Sequence, residues 1–329
     1  MKEYGRLLHE IAQVTAARYE PLALEVFRYQ ARHNPVYAEY LSLLNCRVDA
    51  VQRLADVPPL PIQLFKTHLL QTGQWTPQRI FTSSGTTGTT SSRHALRSED
   101  WYRKRSVETF AQFYGPVEQY CVLALLPAYL ERQGSSLVFM VDHFIGQSHQ
   151  PESGFFLYDY EAVVERLNMC RQNKQPTLLI GVSFALLDLV ERHTLDFPEL
   201  IVMETGGMKG RRKELTREEL HEQLRAGFGV PQIHSEYGMT ELLSQAYSKG
   251  NGLFFPGKTM RVITRDVTDP FESMPYGRTG TLQIVDLANV DTISFIATED
   301  LGKVYADGSF EVLGRLDASD IRGCNLMVE

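Results

Sequence analysis

Apolar and polar positions alternate at helical spacing over residues 1–55. Leu7, Leu8, Ile11 and Val14 form one stripe and Leu22, Leu24, Val26 and Phe27 another, a pattern that predicts two or three helices. Val57-Pro-Pro-Leu-Pro61 then interrupts the pattern, because successive prolines remove amide donors and push their neighbours out of helical backbone space. A boundary is expected there. From Arg79 the chain reads as strand, loop and helix in repetition. Arg79 to Thr82 is a short β-type run, and Ser98 can cap a helix through Trp101, Val107, Phe110 and Phe113. Residues 120–126 are continuously apolar and end at Pro127, as a strand buried on both faces would be. A helix from Asp159, a strand over 177–180, a helix over 183–191 and a strand over 200–203 follow. Such alternation predicts a parallel sheet covered by helices, with ligands at the carboxyl ends of its strands.

After residue 255 the period changes to two. Runs at 260–264, 280–285, 293–297 and 303–312 predict a mainly antiparallel region, and Asp307-Gly308 signals a two-residue hairpin turn. The expected class is α/β, with helix-covered, mainly parallel sheets and a C-terminal β-rich subdomain. The expected division is a helical lead over 1–75, an α/β region over 76–255, and a β-rich subdomain with a tail over 256–329.

Composition narrows the picture further. With 329 residues and 43% hydrophobic content, the chain can bury a large core. No apolar run reaches the roughly 18 residues of a spanning helix, and the charged start lacks the apolar stretch of a secretory signal. A cytoplasmic protein without a membrane span is expected. The formal net charge of -7 removes the electrostatic case for a nucleic-acid partner. The basic cluster Lys209-Gly-Arg-Arg-Lys213 reads as the solvated start of a helix or as a phosphate contact. Cysteines at 46, 121, 170 and 324 have no zinc-type spacing, so free thiols are expected.

The chemistry concentrates in Phe81-Thr-Ser-Ser-Gly-Thr-Thr-Gly-Thr-Thr-Ser-Ser-Arg93. Its glycines permit sharp turns and close ligand approach, while its hydroxyls and freed amides can donate to phosphate oxygens. It is not a Walker A loop, which needs a Lys and a hydroxyl after the second glycine of a longer spacing. A flexible polar linker is the other reading of this tract taken alone.

Other segments in order along the chain change that balance. Ser83-Ser-Gly-Thr-Thr-Gly88, Glu204-Thr-Gly-Gly207, Glu236-Tyr-Gly-Met-Thr-Glu241, Thr298-Glu-Asp300 and Gly314-Arg-Leu-Asp-Ala-Ser-Asp-Ile-Arg-Gly323 together resemble the adenylate-forming superfamily of acyl-CoA synthetases, luciferases and nonribosomal adenylation domains. The resemblance is strongest to its LuxE-type acyl-protein synthetases. Leu-Phe-Lys66 after the Pro-rich stretch points there, as does Cys324 near the C-terminus. The sequence also stops where a typical member would begin a mobile C-terminal domain. The resemblance implies that superfamily's large domain without the mobile one.

By that resemblance Ser83, Ser84, Gly85, Thr86, Thr87 and Gly88 would hold ATP phosphates, with Arg93 in place of a lysine that ends the loop in many relatives. Gly206, Gly207, Tyr237, Gly238 and Met239 would bound the adenine, Thr240 would meet the α-phosphate, and Asp300 and Arg315 the ribose. Glu241 would hold Mg²⁺, a metal commonly shared with substrate phosphates. Relatives draw a catalytic lysine from the mobile domain, and Lys66 is its substitute by position. Cys324 would carry the acyl group as a thioester, since a thiolate attacks an acyl adenylate readily; a small buried apolar side chain is its other reading. His234 either lines the acid pocket or is a satisfied core histidine, and Phe144, residues 182–186 and Ser235 are expected to form the pocket's apolar part.

The expected activity is therefore ATP-dependent conversion of a carboxylic acid, of the fatty class, to acyl-AMP. Transfer to Cys324 and on to a partner such as an acyl reductase follows. A ligase delivering to coenzyme A or a carrier protein, and a nucleotide-binding scaffold without turnover, are the alternatives.

Overall fold

The computed structural model describes residues 2–83, 90–127, 134–206 and 215–316. Three helices open the chain, α1 (Lys2–Ala12), α2 (Ala16–His33) and α3 (Pro35–Leu43). Asn34 begins the third, its side chain accepting from the Tyr37 amide at 3.1 Å with proline at the first helical position, where no amide is needed. The Pro-rich stretch after them does more than break a helix. Leu60–Pro61 forms a short strand β1 that pairs in parallel with β13 (Phe295–Val304). Proline is tolerated there because β1 joins the sheet at its margin. The chain then passes through a short turn of helix, α4 (Leu64–Thr67).

The main sheet has two halves. In the parallel half, β4 (Cys121–Leu125), β6 (Thr177–Val182), β7 (Ile201–Thr205) and β8 (His234–Tyr237) run side by side, with β5 (Gly154–Phe155) at the edge. Every residue of β4 and β6 is buried, which is what helices on both faces require. Crossover helices at Ser136–Ser148, Tyr160–Gln172, Ser183–Arg192 and Arg217–Phe228 supply that cover. Asp159 caps the second of these by accepting from the Ala162 amide at 3.0 Å.

Beyond β8 the pairing turns antiparallel through β9 (Ala246–Ser248) and β10 (Leu253–Pro256) to β14 (Phe310–Arg315), β13, β12 (Thr279–Asp286) and β11 (Met260–Arg265). The connection from β13 to β14 is a five-residue loop, 305–309, and not the two-residue turn that Asp307-Gly308 suggested. Gly308 takes a φ of +85°, and Asp307 accepts from the Ser309 amide at 2.9 Å. The polar side chain thus finishes what the backbone alone would leave open.

Two differences bear on the site. The strand before the hydroxyl-rich tract, β2 (Arg79–Thr82), lies outside the parallel sheet and pairs antiparallel with β3 (Arg93–Leu96). The two strands flank the hydroxyl-rich tract on either side in sequence, and helix α5 (Glu99–Tyr114) follows β3. Helices α1 to α3 also share one hydrophobic core with the antiparallel half, Phe27 meeting Phe295 edge-to-face at 5.9 Å. Residues 81–247 build a second core around the parallel half. Cys46, Cys121 and Cys170 are free thiols. No helix among the described residues is long and apolar enough to cross a membrane.

Candidate active site

The parallel register pairs Val182 with Thr205 and Glu204 with Ser235, so strands β6, β7 and β8 end together. Carboxyl ends of this kind are where open α/β sheets bind ligands. Ser183, just past β6, donates to the Gly206 carbonyl at 2.7 Å and to Glu204 Oε2 at 3.2 Å. Gly206 has a φ of +67°, a left-handed conformation that a side chain would strain. At Gly238 a Cβ would fall 2.4 Å from Glu236 Oε1, so a side chain there would have to displace that carboxylate.

Tyr237, Asp300 and Arg315, drawn from three of the motifs, are brought together. Asp300 and Arg315 face each other across the β13–β14 pair. The Tyr237 hydroxyl donates to Asp300 Oδ2 at 2.8 Å, and Arg315 Nε reaches Oδ1 at 3.3 Å. Thr298 holds the turn by accepting the Asp300 amide at 3.1 Å while donating to the Leu282 carbonyl at 2.7 Å. Asp300 is buried and Arg315 is exposed, so the pair runs from the interior to the surface. The Tyr237 ring sits edge-to-face against Phe254 and Phe310 and is 9% exposed, which leaves little of it for stacking on a base.

Glu241 is the second focus. It is buried, and desolvation raises its carboxyl above the usual range against the opposing pull of the Ser92 hydroxyl, Arg315 and Lys66. Lys66 itself is exposed on α4. Ser83 is tied to Ser92: its hydroxyl accepts from the Ser92 amide at 2.9 Å, and its own amide donates to the Ser92 carbonyl at 3.1 Å. Arg93 is exposed, and strand alternation turns it away from the face shared by Ser92 and His94. Among the described residues no group of three or more His, Cys, Asp and Glu side chains forms a metal cage. A single buried carboxylate instead fits a Mg²⁺ that takes its remaining ligands from phosphate and water.

Ser84, Gly85, Thr86, Thr87, Gly88, Gly207, Cys324 and the basic cluster at 209–213 lie outside the described residues. Thr240 and Met239 are partly exposed in the loop after β8. His234 is a satisfied core histidine: its Nδ1 lies 3.1 Å from the Tyr114 hydroxyl, and burial lowers its pKa to about 4. Phe144 packs on Phe110 in the core, and residues 182–186 are buried. Residue-type reasoning passed over Ser92, His94, Asn289 and Glu236. The first two carry a readable signal, apolar-face alternation at 92, 94 and 96 with hydrogen-bonding side chains at two of the three positions.

Glu236 offers a direct measurement. Thr205 donates to its Oε2 at 2.8 Å, yet burial lifts its pKa to about 7, with Glu204 adding to the rise. The folded state thus favours the protonated form. Its contribution to stability is complete below the unfolded carboxylate value and is lost as pH rises towards 7. Each pH unit is worth about 1.4 kcal/mol, so the loss is on the order of 3 kcal/mol. Glu236→Gln should gain stability relative to the parent between pH 4.5 and 7, read from urea midpoints. Parallel pH profiles for the two proteins would reject this assignment.

No family model matches the chain, and no curated protein matches it. Solved structures do. An open form of 2-hydroxyisobutyryl-CoA ligase superposes with a TM-score of 0.68 at 12% identity, over 93% of this chain and 71% of that one. ATP-bound MatB from Rhodopseudomonas palustris gives 0.54 at 20% identity, over 72% of this chain and 47% of its own. A long-chain-fatty-acid–CoA ligase from Archaeoglobus fulgidus gives 0.52 at 14%, over 74% and 52%. This chain has the fold of the large domain of adenylate-forming enzymes. It spans about half the length of MatB.

Proposed function

We propose that the chain activates a carboxylic acid with ATP. A carboxylate oxygen attacks the α-phosphorus, the bond to pyrophosphate breaks, and acyl-AMP forms. The observation that carries this reading is the Tyr237–Asp300–Arg315 cluster beside buried Glu241, four residues from three separate motifs joined at one end of the sheet. Further support comes from fold neighbours crystallised with ATP in one case and with an acyl adenylate and CoA in another.

Each residue has a task in this chemistry. Asp300 presents a carboxylate held by Tyr237 and suited to accepting from ribose hydroxyls, and Arg315 adds a cation at the exposed end. Ser83 and residues 84–88 would donate to the β- and γ-phosphates. Glu241 would ligate Mg²⁺, which when bound offsets phosphate charge. Lys66 is proposed to meet charge developing at the α-phosphate, and electrostatic stabilisation of that kind is a large catalytic term.

In the second half-reaction the Cys324 thiolate attacks the acyl carbon, AMP leaves, and the thioester passes to a partner such as an acyl reductase. A fatty acid is the proposed substrate. Delivery to an external thiol such as CoA is the second reading, favoured by the ligand set of the hydroxyisobutyryl-CoA ligase neighbour.

Exchange of labelled pyrophosphate into ATP, scored across a panel of carboxylic acids, tests the first half. Acid-dependent exchange is expected; none with any acid would leave a nucleotide-binding scaffold. Incubation with ATP and a labelled acid tests the second half. A hydroxylamine-labile label that disappears in Cys324→Ser is expected, while labelling that persists in that variant would favour an external acceptor.

A further inference from the structure

The loop over residues 238–245, which carries Thr240 and Glu241, belongs to no helix or strand, so its backbone groups need partners from outside it. Side chains supply them. Asn289 Nδ2 donates to the Glu241 carbonyl at 2.7 Å, and Asp286 Oδ2 accepts the Leu243 and Ser244 amides at 2.8 and 2.9 Å. Those two anchors come from the end of β12 and the helical turn that follows it. The Thr240 carbonyl is held from the opposite direction, by His94 Nδ1 at 2.7 Å.

His94 lies on β3, the strand that follows the hydroxyl-rich tract in sequence, and it is 1% exposed. Only a protonated Nδ1 can bond a carbonyl, which fixes the tautomer and leaves Nε2 to accept from the Thr292 hydroxyl at 3.1 Å. Thr292 is itself braced, since its carbonyl accepts from Thr72 Oγ1 at 2.5 Å and Asn34 Nδ2 at 2.8 Å. Phe65, next to Lys66, meets the His94 ring edge-to-face at 5.5 Å. Two residues before His94, Ser92 stands near enough to the Glu241 carboxyl to oppose the rise in its pKa. The chain at the start of β3 therefore meets the loop at two successive residues, bonding the Thr240 carbonyl and standing beside the Glu241 side chain.

We infer that His94 is a positioning residue that fixes the Thr240–Glu241 backbone relative to β3 and α4 through its Nδ1–H bond to the Thr240 carbonyl. The consequence for turnover rests on the adenylation reading above; the positioning does not.

The test compares His94→Asn, His94→Gln and His94→Leu. An asparagine amide sits where Nδ1 was, whereas a glutamine amide sits where Nε2 was. Amide hydrogen exchange over residues 238–245 of the ligand-free protein should quicken by about tenfold in the Leu and Gln variants, the effect of one lost hydrogen bond. It should stay near the parent rate in Asn. A residue that merely fills space predicts the reverse order, because glutamine is nearer to histidine in volume. Exchange that is unchanged in Gln, or as fast in Asn as in Gln, overturns the inference; if Leu fails to fold, the Asn–Gln pair still decides. In the pyrophosphate assay, the Mg²⁺ needed for half-maximal rate should rise severalfold in Gln and not in Asn. A parent protein inactive with every acid would reject adenylation and leave the exchange result standing.

Discussion

Asp286→Ala should lower folding stability by about 3–5 kcal/mol, with a fall in melting temperature of roughly 5–8 °C. Asp286 is fully buried at the end of β12 and receives four donors. The Leu243 and Ser244 amides reach Oδ2, and the Ser244 hydroxyl at 2.5 Å and the Ala288 amide at 3.0 Å reach Oδ1. Alanine would strand three amides away from water, the Ser244 hydroxyl keeping Thr259 Oγ1 at 2.7 Å, and an unpaired buried donor incurs its full desolvation cost, not the modest net value of a bond. Asp286→Asn should rescue little, because one oxygen becomes an NH₂ group facing donors. Chemical unfolding of both variants measures this. A loss under about 1 kcal/mol in the alanine protein would show that the loop has other means of satisfying its backbone.

The contrast between Asp286 and Asp300 shows what a sequence can disclose. Asp300 belongs to a short motif whose spacing to Arg315 survives in the register of β13 and β14, so two residues fifteen apart were legible as neighbours. Asp286 ends an apolar strand and belongs to no pattern; its four donors come from residues up to 43 positions away. Tertiary pairing of that sort has no local trace. The parallel strands were readable because two-sided burial demands continuous apolar runs, as in β4 and β6. Strand β2 was readable as a strand but not as a hairpin partner, since four residues of β pattern do not name the sheet they join. Leu60 and Pro61 were hidden by their own chemistry: proline signals a break, and the parallel bridge to Ile296 and Ala297 depends on a partner more than 230 residues away. Tyr237, Glu241, Asp300 and Arg315 were singled out by motif; Asn289 acts on the backbone of another segment and leaves no residue-type signature, and His94 shows only the alternation at 92, 94 and 96.

Glu241→Gln should reduce acid-dependent pyrophosphate exchange by about 100-fold or more, the scale on which charge stabilisation at a reacting centre is lost. The side chain keeps its shape and its place beside Ser92. What it loses is the charge that would ligate Mg²⁺. Stability should not fall with it: burial holds the native carboxyl above the usual range, so the neutral amide escapes a desolvation cost that the carboxylate bears. Raising Mg²⁺ should recover part of the rate if the defect is weakened binding of the metal–nucleotide complex. The same substitution at Glu236 should leave exchange much closer to the parent, since Glu236 is bonded to Thr205 and faces none of the cations that surround Glu241. An inactive Glu241 variant that also melts well below the parent would mean that the residue holds the loop and not the metal. Exchange at the parental rate would remove Glu241 from the reaction altogether, and with it the reading of the loop after β8 as the phosphate-facing wall.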